Sequence, residues 1–416
     1  MGKKNGSYSK DYGKVVGNNS KDFPGWKGPS YVKKAEPRVT KQKPVSEDIV
    51  EPEPEPKVSS ELQQNLLNVF RNSFPELLDS DTLKPLLQEV KTALYERDFS
   101  RAFGKEEYLE AYSVRWSPSR ALCYNSILVD IEEHLNDLRN SFSSGPKASI
   151  CPLNIVCFGG GAAEVVAFGG FTRYLSDVAS QGSMQEEALA PLKDLSISED
   201  TSSDEKVVTK SDPLDNIPST GQVMDLCLVD CANWKTVVQT LHSGLTTPPP
   251  MSKYASASAR AANKSLIVTS DFSTVFHAED VLVMDQNQVA ETMKKGPLLL
   301  TLLFTLNELY TSSIAKTTAF LLKLTMAAQA GTLLLVVDSP GSYSEATVGS
   351  EAKKYPMHWL LNHTLIGVPK AGDKASKPDW EMVISDESRW FRIPEGLRYP
   401  ISLENMRYQI HLYRRL

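Results

Sequence analysis

From Leu153 to the end of the chain, short runs of consecutive apolar residues alternate with stretches of helical periodicity. The runs are Leu153–Phe158, Met224–Asp230, Leu266–Phe272, Leu298–Phe304, Thr332–Asp338, Met382–Ile384 and Tyr408–Tyr413. Strands that are apolar without alternation are buried on both faces, as in a mainly parallel sheet covered by helices. Strand and helix signals in alternation predict a doubly wound, Rossmann-like α/β domain over residues 149–416.

The rest of the chain reads differently. Leu62, Leu66, Val69 and Phe70 share one helical face, and Leu83, Leu86, Leu87, Val90 and Leu94 share another. Ser117-Pro118 predicts an N-cap and a first-turn proline, opening a long helix with apolar positions from Tyr124 to Leu138. Residues 59–148 are therefore expected to form a helical N-terminal region. Residues 1–58 lack periodicity and are expected to be disordered. Within residues 1–44, eleven Lys or Arg stand against Asp11, Asp22 and Glu36, with Tyr8, Tyr12, Phe23, Trp26 and Tyr31 interleaved. That composition suits a flexible RNA-contacting arm, and equally a nuclear-import signal. Residues 181–220 carry nine acidic residues against three lysines without periodicity, as expected of a disordered insertion in a surface loop.

Apart from the arm, composition mainly excludes. No run of 18 apolar residues and no N-terminal hydrophobic segment occurs, so neither a membrane span nor a secretory signal is expected. The five cysteines are an odd number without metal-ligand spacing, which points to a reducing compartment and no metal.

The sharpest local signal is Asn154-Ile-Val-Cys-Phe-Gly-Gly-Gly-Ala-Ala-Glu164, a buried strand entering three glycines and then a helix. Gly159, Gly160 and Gly161 permit a tight turn and close backbone approach to a ligand at the helix N-terminus. A P-loop is excluded, because no Gly-Lys-Ser/Thr follows. Glu164 would crowd and repel a pyrophosphate, whereas S-adenosylmethionine, a nucleoside without phosphate, tolerates an acidic setting. Asp230, ending the second run, is placed to accept both ribose hydroxyls. It lies 69 residues beyond Gly161, or 29 once the 40 residues of the insertion are left out. Asp280 follows the third run, where it could accept from an adenine amino group or shape a turn. Ligands of open α/β sheets bind outside the carboxyl ends of the strands, which favours Asn307, Glu308, Asp338, Tyr343 and Glu345 as lining residues. Arg115 and Arg120 flank Trp116 and are candidates for a cofactor carboxylate, an RNA phosphate, or an ion pair with Glu106, Glu107 or Glu110.

Several strings then resemble one family: Glu96-Arg-Asp-Phe99, Arg115-Trp-Ser-Pro-Ser-Arg120, Phe304-Thr-Leu-Asn-Glu-Leu309, Leu335-Val-Val-Asp-Ser-Pro-Gly-Ser-Tyr-Ser-Glu345 and Tyr355-Pro-Met-His-Trp-Leu-Leu361. Ser388-Arg-Trp-Phe-Arg392 and Leu403-Glu-Asn-Met-Arg-Tyr408 complete the set. Over residues 90–416 the chain resembles the fungal S-adenosylmethionine-dependent methyltransferases that make N3-methyluridine in large-subunit ribosomal RNA. The resemblance implies a class I methyltransferase fold with a seven-stranded, mostly parallel sheet whose last strand is antiparallel. Cys157 departs from the pattern, because many class I enzymes carry an acid two positions before the first glycine. The resemblance further implies action on ribosomal RNA or the pre-ribosome in the nucleus (nucleolus), with the cytoplasm as an additional location, and a monomer is expected. Uracil N3 must lose its imide proton before it attacks, which makes Asn307 with Glu308 the candidate catalytic pair and Tyr343 a candidate for the base edge. Competing readings are a ribosome-assembly factor that keeps the fold without turnover, and a methyltransferase of proteins or small molecules.

Overall fold

The computed structural model describes residues 57–141, 152–189, 224–296, 298–341, 345–348, 353–367 and 378–416. All fall within one compact unit, Pro56–Leu416. The basic arm up to residue 56, residues 190–220 of the acidic insertion and Tyr343 lie outside the described residues.

Seven strands form the central sheet: β1 (Leu153–Phe158), β2 (Met224–Asp230), β3 (Phe272–Ala278), β4 (Leu299–Leu303), β5 (Leu333–Asp338), β8 (Trp380–Phe391) and β9 (Met406–Arg415). Their order is β3-β2-β1-β4-β5-β9-β8. The first five run parallel and β9 is antiparallel to both neighbours, as in a class I methyltransferase. A separate hairpin, β6 (Glu345–Val348) with β7 (Lys353–Pro356), follows β5. The order reverses at β1, which places a crevice beyond the carboxyl ends of β1 and β4. Every residue of β4 and β5 is buried, which accounts for their continuous apolar runs.

Four expectations need correction. The third strand occupies Phe272–Ala278, not Leu266–Phe272. Ser117 does not cap a helix: Trp116 holds the N-cap position, no side chain caps there, and Ser117 is the buried first residue of helix Ser117–Asp130. That helix stops at Ile131, and Glu132–Asn140 is a separate helix. The helix after β1 runs to Leu189, so the backbone of residues 181–189, expected to be disordered, is helical.

The N-terminal helices share a core with the sheet. Ser59 caps helix Ser60–Ser73 by accepting from the Leu62 N–H at 3.2 Å, and Leu62, Leu66, Leu67, Val69 and Phe70 are buried. This helix and helix Ser117–Asp130 pack on the helix that follows β1, where Asn125 Nδ2 donates to the Ala167 carbonyl at 3.1 Å. Their apolar residues join those of β1, β2, β4 and β9 in one cluster. A second cluster, on the opposite face, includes Phe158, Phe320 and Trp380. The helical region thereby forms a wall beside the carboxyl ends of the strands.

Candidate functional site

The carboxyl ends of β1, β2 and β4 open into a cavity of about 500 Å³, a volume typical of small-molecule sites. The chain leaves β1 through Gly159, whose φ is 77° and whose N–H donates to the Val229 carbonyl at 2.7 Å. A Cβ at Gly159 would lie 2.4 Å from Thr305, so both φ and close approach require glycine there. Gly160 faces Cys157 and Leu228, and only Gly159 and Gly161 line the cavity.

The helix that follows meets an internal carboxylate. Glu164 is buried, and its Oε2 accepts from the Gly161 N–H at 2.8 Å. The position at which a helix N-terminus would bind a phosphate is therefore filled by the protein itself. Burial raises the Glu164 carboxyl to about 7. Asp230, at the end of β2, accepts from the Ala232 N–H through Oδ1 at 2.7 Å, and burial raises its carboxyl to about 6. Asp280 shapes a turn by accepting from the Leu282 N–H at 2.9 Å. Both aspartates line the cavity.

The facing wall comes from the N-terminal helices together with Trp234, which follows β2. Phe103, Tyr112 and Trp234 have ring centroids 5.2 to 5.8 Å apart, and Trp116 extends the group 5.2 Å from Tyr112. Arg120 donates to the Tyr112 hydroxyl, and its guanidinium lies 5.1 Å from the Phe304 ring. Among the described residues no carboxylate pairs with Arg120, although it lines the cavity. Arg115 differs: it is ion-paired with Glu404, not with the glutamates at 106, 107 or 110, and also donates to the Ser402 carbonyl at 3.4 Å.

The expected pair after β4 separates. Glu308 lines the cavity, its Oε2 is buried without a hydrogen-bond partner, and burial raises its pKa. Asn307 is buried away from the lining, and its backbone N–H donates to Asp338 Oδ2 at 2.9 Å. Asp338 also accepts from the Ser339 N–H at 2.8 Å, so its carboxylate caps the helix Leu306–Ser312. Burial raises it to about 6. The Tyr124 hydroxyl, like Glu308 Oε2, is buried at this cavity without a partner. Unsatisfied buried polar atoms are costly, and two at one cavity suit a polar ligand. S-adenosylmethionine fits this donor set: a carboxylate for ribose hydroxyls, an unpaired guanidinium for the amino-acid carboxylate, and an aromatic wall.

A smaller cavity of about 240 Å³ shares Trp116, Arg120 and Phe304 with the first and is also lined by Asn405, Met406 and Arg407. Phe304, between the two, has φ 55°, an uncommon conformation for an aromatic residue. A third cavity, about 610 Å³, lies against β1, β2 and β3 beside the short helix Gln286–Thr292, but contains neither the glycine turn nor Asp230.

Sequence reasoning missed Tyr112, Tyr124 and Trp234. The aromatic series Phe99, Phe103, Tyr112 and Trp116 was the available signal, but only the tertiary fold brings it to Trp234. Among the described residues no group of three or more His, Cys, Asp or Glu is placed to hold a metal, and no helix is long and apolar enough to cross a membrane.

Residues 70–414 match a family model described as "Putative SAM-dependent methyltransferase". The chain is 32% identical over 358 residues to the 25S rRNA (uridine(2843)-N(3))-methyltransferase of Saccharomyces cerevisiae, covering 84% of this chain and 85% of that one. Among solved structures it is similar to an O-methyltransferase family protein of Burkholderia thailandensis, at 10% identity and a TM-score of 0.30 over 80% of this chain and 70% of that one. It is also similar to human N-acetylserotonin methyltransferase in complex with SAM, at 10% identity and a TM-score of 0.27 over 76% and 58%. The fold assignment stands on the strand order.

Proposed function

The chain belongs to the SAM-dependent methyltransferases, and from that premise we propose that it methylates N3 of a uridine in large-subunit ribosomal RNA. The observation that carries the substrate is the 32% identity to the yeast enzyme across 84% of the chain. What supports the cofactor's place is the cavity at the carboxyl ends of β1, β2 and β4.

In this reading Asp230 accepts from the ribose hydroxyls, and Asp280 accepts from the adenine amino group. The backbone of the turn at Gly159 and Gly161 lies along the nucleoside, with Gly160 packing the turn against β1 and β2. Arg120 holds the methionine carboxylate. S-adenosylmethionine supplies, when bound, an electrophilic methyl group on a sulfonium. The smaller cavity receives the acceptor base, because it meets the first at Trp116, Arg120 and Phe304.

Positioning donor and acceptor is the larger part of catalysis in such a displacement. The remaining task is the N3 proton. Glu308 is the base that takes it, since burial moves its pKa upward, toward the range where a carboxylate accepts a proton effectively. Asn307 is a positioning residue: its N–H, held by Asp338, fixes the helix that carries Glu308. Arg115 orders the rim through Glu404 and so belongs to the RNA-facing side. Tyr343 is assigned to the base edge on its sequence position after β5. N3 lies on the Watson–Crick edge, so the uridine must be unpaired or extruded to enter. The partner is the large-subunit ribosomal RNA or the pre-ribosome, met in the nucleolus by a monomeric enzyme.

The test is nucleoside mass spectrometry of ribosomal RNA from cells with and without this protein, together with purified protein acting on unmodified RNA. Loss of one N3-methyluridine in the deletion, restored by the purified protein, is expected. An unchanged content of N3-methyluridine would overturn the proposal.

A further inference from the structure

We infer that Trp390, framed by Arg392 and Arg407 on the edge of the sheet, is a stacking platform for a nucleotide of single-stranded RNA next to the acceptor cavity. The inference rests on the proposed RNA substrate. β8 is the terminal strand of the sheet, and Trp390 pairs with Arg407 of β9. Trp390 is 55% exposed. The Arg392 guanidinium lies 5.5 Å from its ring and that of Arg407 5.9 Å.

The neighbouring arginines show what is unusual here. Arg389, Arg414 and Arg415 are ion-paired with Asp386, Asp137 and Asp379. Among the described residues, Arg392 and Arg407 have no such partner; Arg407 donates only to the Ser388 hydroxyl, at 2.8 Å. The edge therefore presents an indole between two unneutralised cations. The guanidinium groups lie over the indole, and when they turn outward to the phosphates on either side a base can stack in their place, the combination used for single strands. The surface is continuous with the site, because Arg407 also lines the cavity assigned to the acceptor. Other aromatic residues of this segment do not share the role: Tyr408 is buried, and the Tyr399 hydroxyl donates to the Val114 carbonyl at 2.9 Å.

The experiment measures binding of full-length protein to a fluorescein-labelled, uridine-rich single-stranded oligoribonucleotide by anisotropy across a salt series. Methylation kinetics on ribosomal RNA run in parallel. Trp390→Ala should weaken binding about tenfold and raise the RNA KM with kcat at saturating RNA retained, while Trp390→Phe restores most of the affinity. Arg392→Gln should reduce the salt slope by about one unit. Trp359→Ala, which removes another exposed tryptophan, should change neither. Wild-type affinity in Trp390→Ala, or no RNA binding by the wild type, overturns the platform. If RNA binding depends on Trp390 but no N3-methyluridine forms, the platform stands and the proposed reaction fails.

Discussion

Asp230 and Glu308 must both be ionised to act, Asp230 as a standing acceptor and Glu308 as the group that takes a proton, yet burial favours the protonated form of each. Burial holds the Asp230 carboxyl at about 6, above the ordinary 3.8, so between these values the folded, unliganded protein binds a proton that the unfolded chain does not. Asp230 therefore lowers stability as pH rises through that window. Cofactor binding has the opposite slope, since ribose hydroxyls need the charged carboxylate as acceptor. We expect S-adenosylmethionine affinity to rise from pH 5 and level off above about 6, and Asp230→Asn to flatten that profile with weaker binding throughout. Calorimetry over this range decides it: a pH-independent wild type would remove Asp230 from the ribose. Glu308→Gln tests the base. It should lower kcat by roughly a hundredfold or more at unchanged cofactor affinity. A kcat within a few-fold of wild type would return proton acceptance to solvent.

The turn between β1 and its helix is where an element depends on single atoms. Gly159→Ala places a methyl 2.4 Å from Thr305 at a φ of 77°. Overpacking and left-handed backbone together should cost about 1–3 kcal/mol or more, and cofactor binding should fall with stability. Thermal unfolding and calorimetry check both, and an unchanged Tm would mean the turn relaxes freely. This turn was legible in the sequence because glycine has few other reasons to occur three times after a buried strand. Likewise β1, β2, β4 and β5 were legible as continuous apolar runs. The sheet edges were not: β3 exposes Ser273, Val275, His277 and Ala278, so the more apolar Leu266–Phe272 drew the assignment six residues upstream. β8 spans Trp380–Phe391, but only Met382–Ile384 stood out, since an edge strand tolerates charge. At the site, Asp230, Glu308 and Arg120 could be named from their places at strand and helix ends. Tyr112 and Trp234 could not, because their meeting depends on helix docking across 122 residues of sequence. The contact of the Asn307 N–H with Asp338 likewise joins groups from neighbouring strand ends and is made only in the fold.

For the whole molecule, the distribution of charge decides how RNA is approached. Eleven basic against three acidic residues give residues 1–44 a charge of +8, so the other 372 residues carry −14 of the total −6. A body of that sign disfavours the approach of a polyanion, and because screening over about 8 Å confines every surface charge alike, the cations at Trp390 act only on RNA already beside them. Attraction of RNA further out must then come from the arm. Removing residues 1–45 should lower RNA affinity and make its salt dependence shallower, by about one unit for each phosphate that the arm no longer neutralises. The rate at saturating RNA should barely change, because in sequence the arm lies outside the cofactor domain, residues 149–416. Single-turnover methylation by full-length and truncated enzyme across a salt series separates the two quantities. Equal affinity and equal slope would make the arm a targeting segment, leaving RNA capture to Trp390, Arg392, Arg407 and the rim ordered by Arg115 and Glu404.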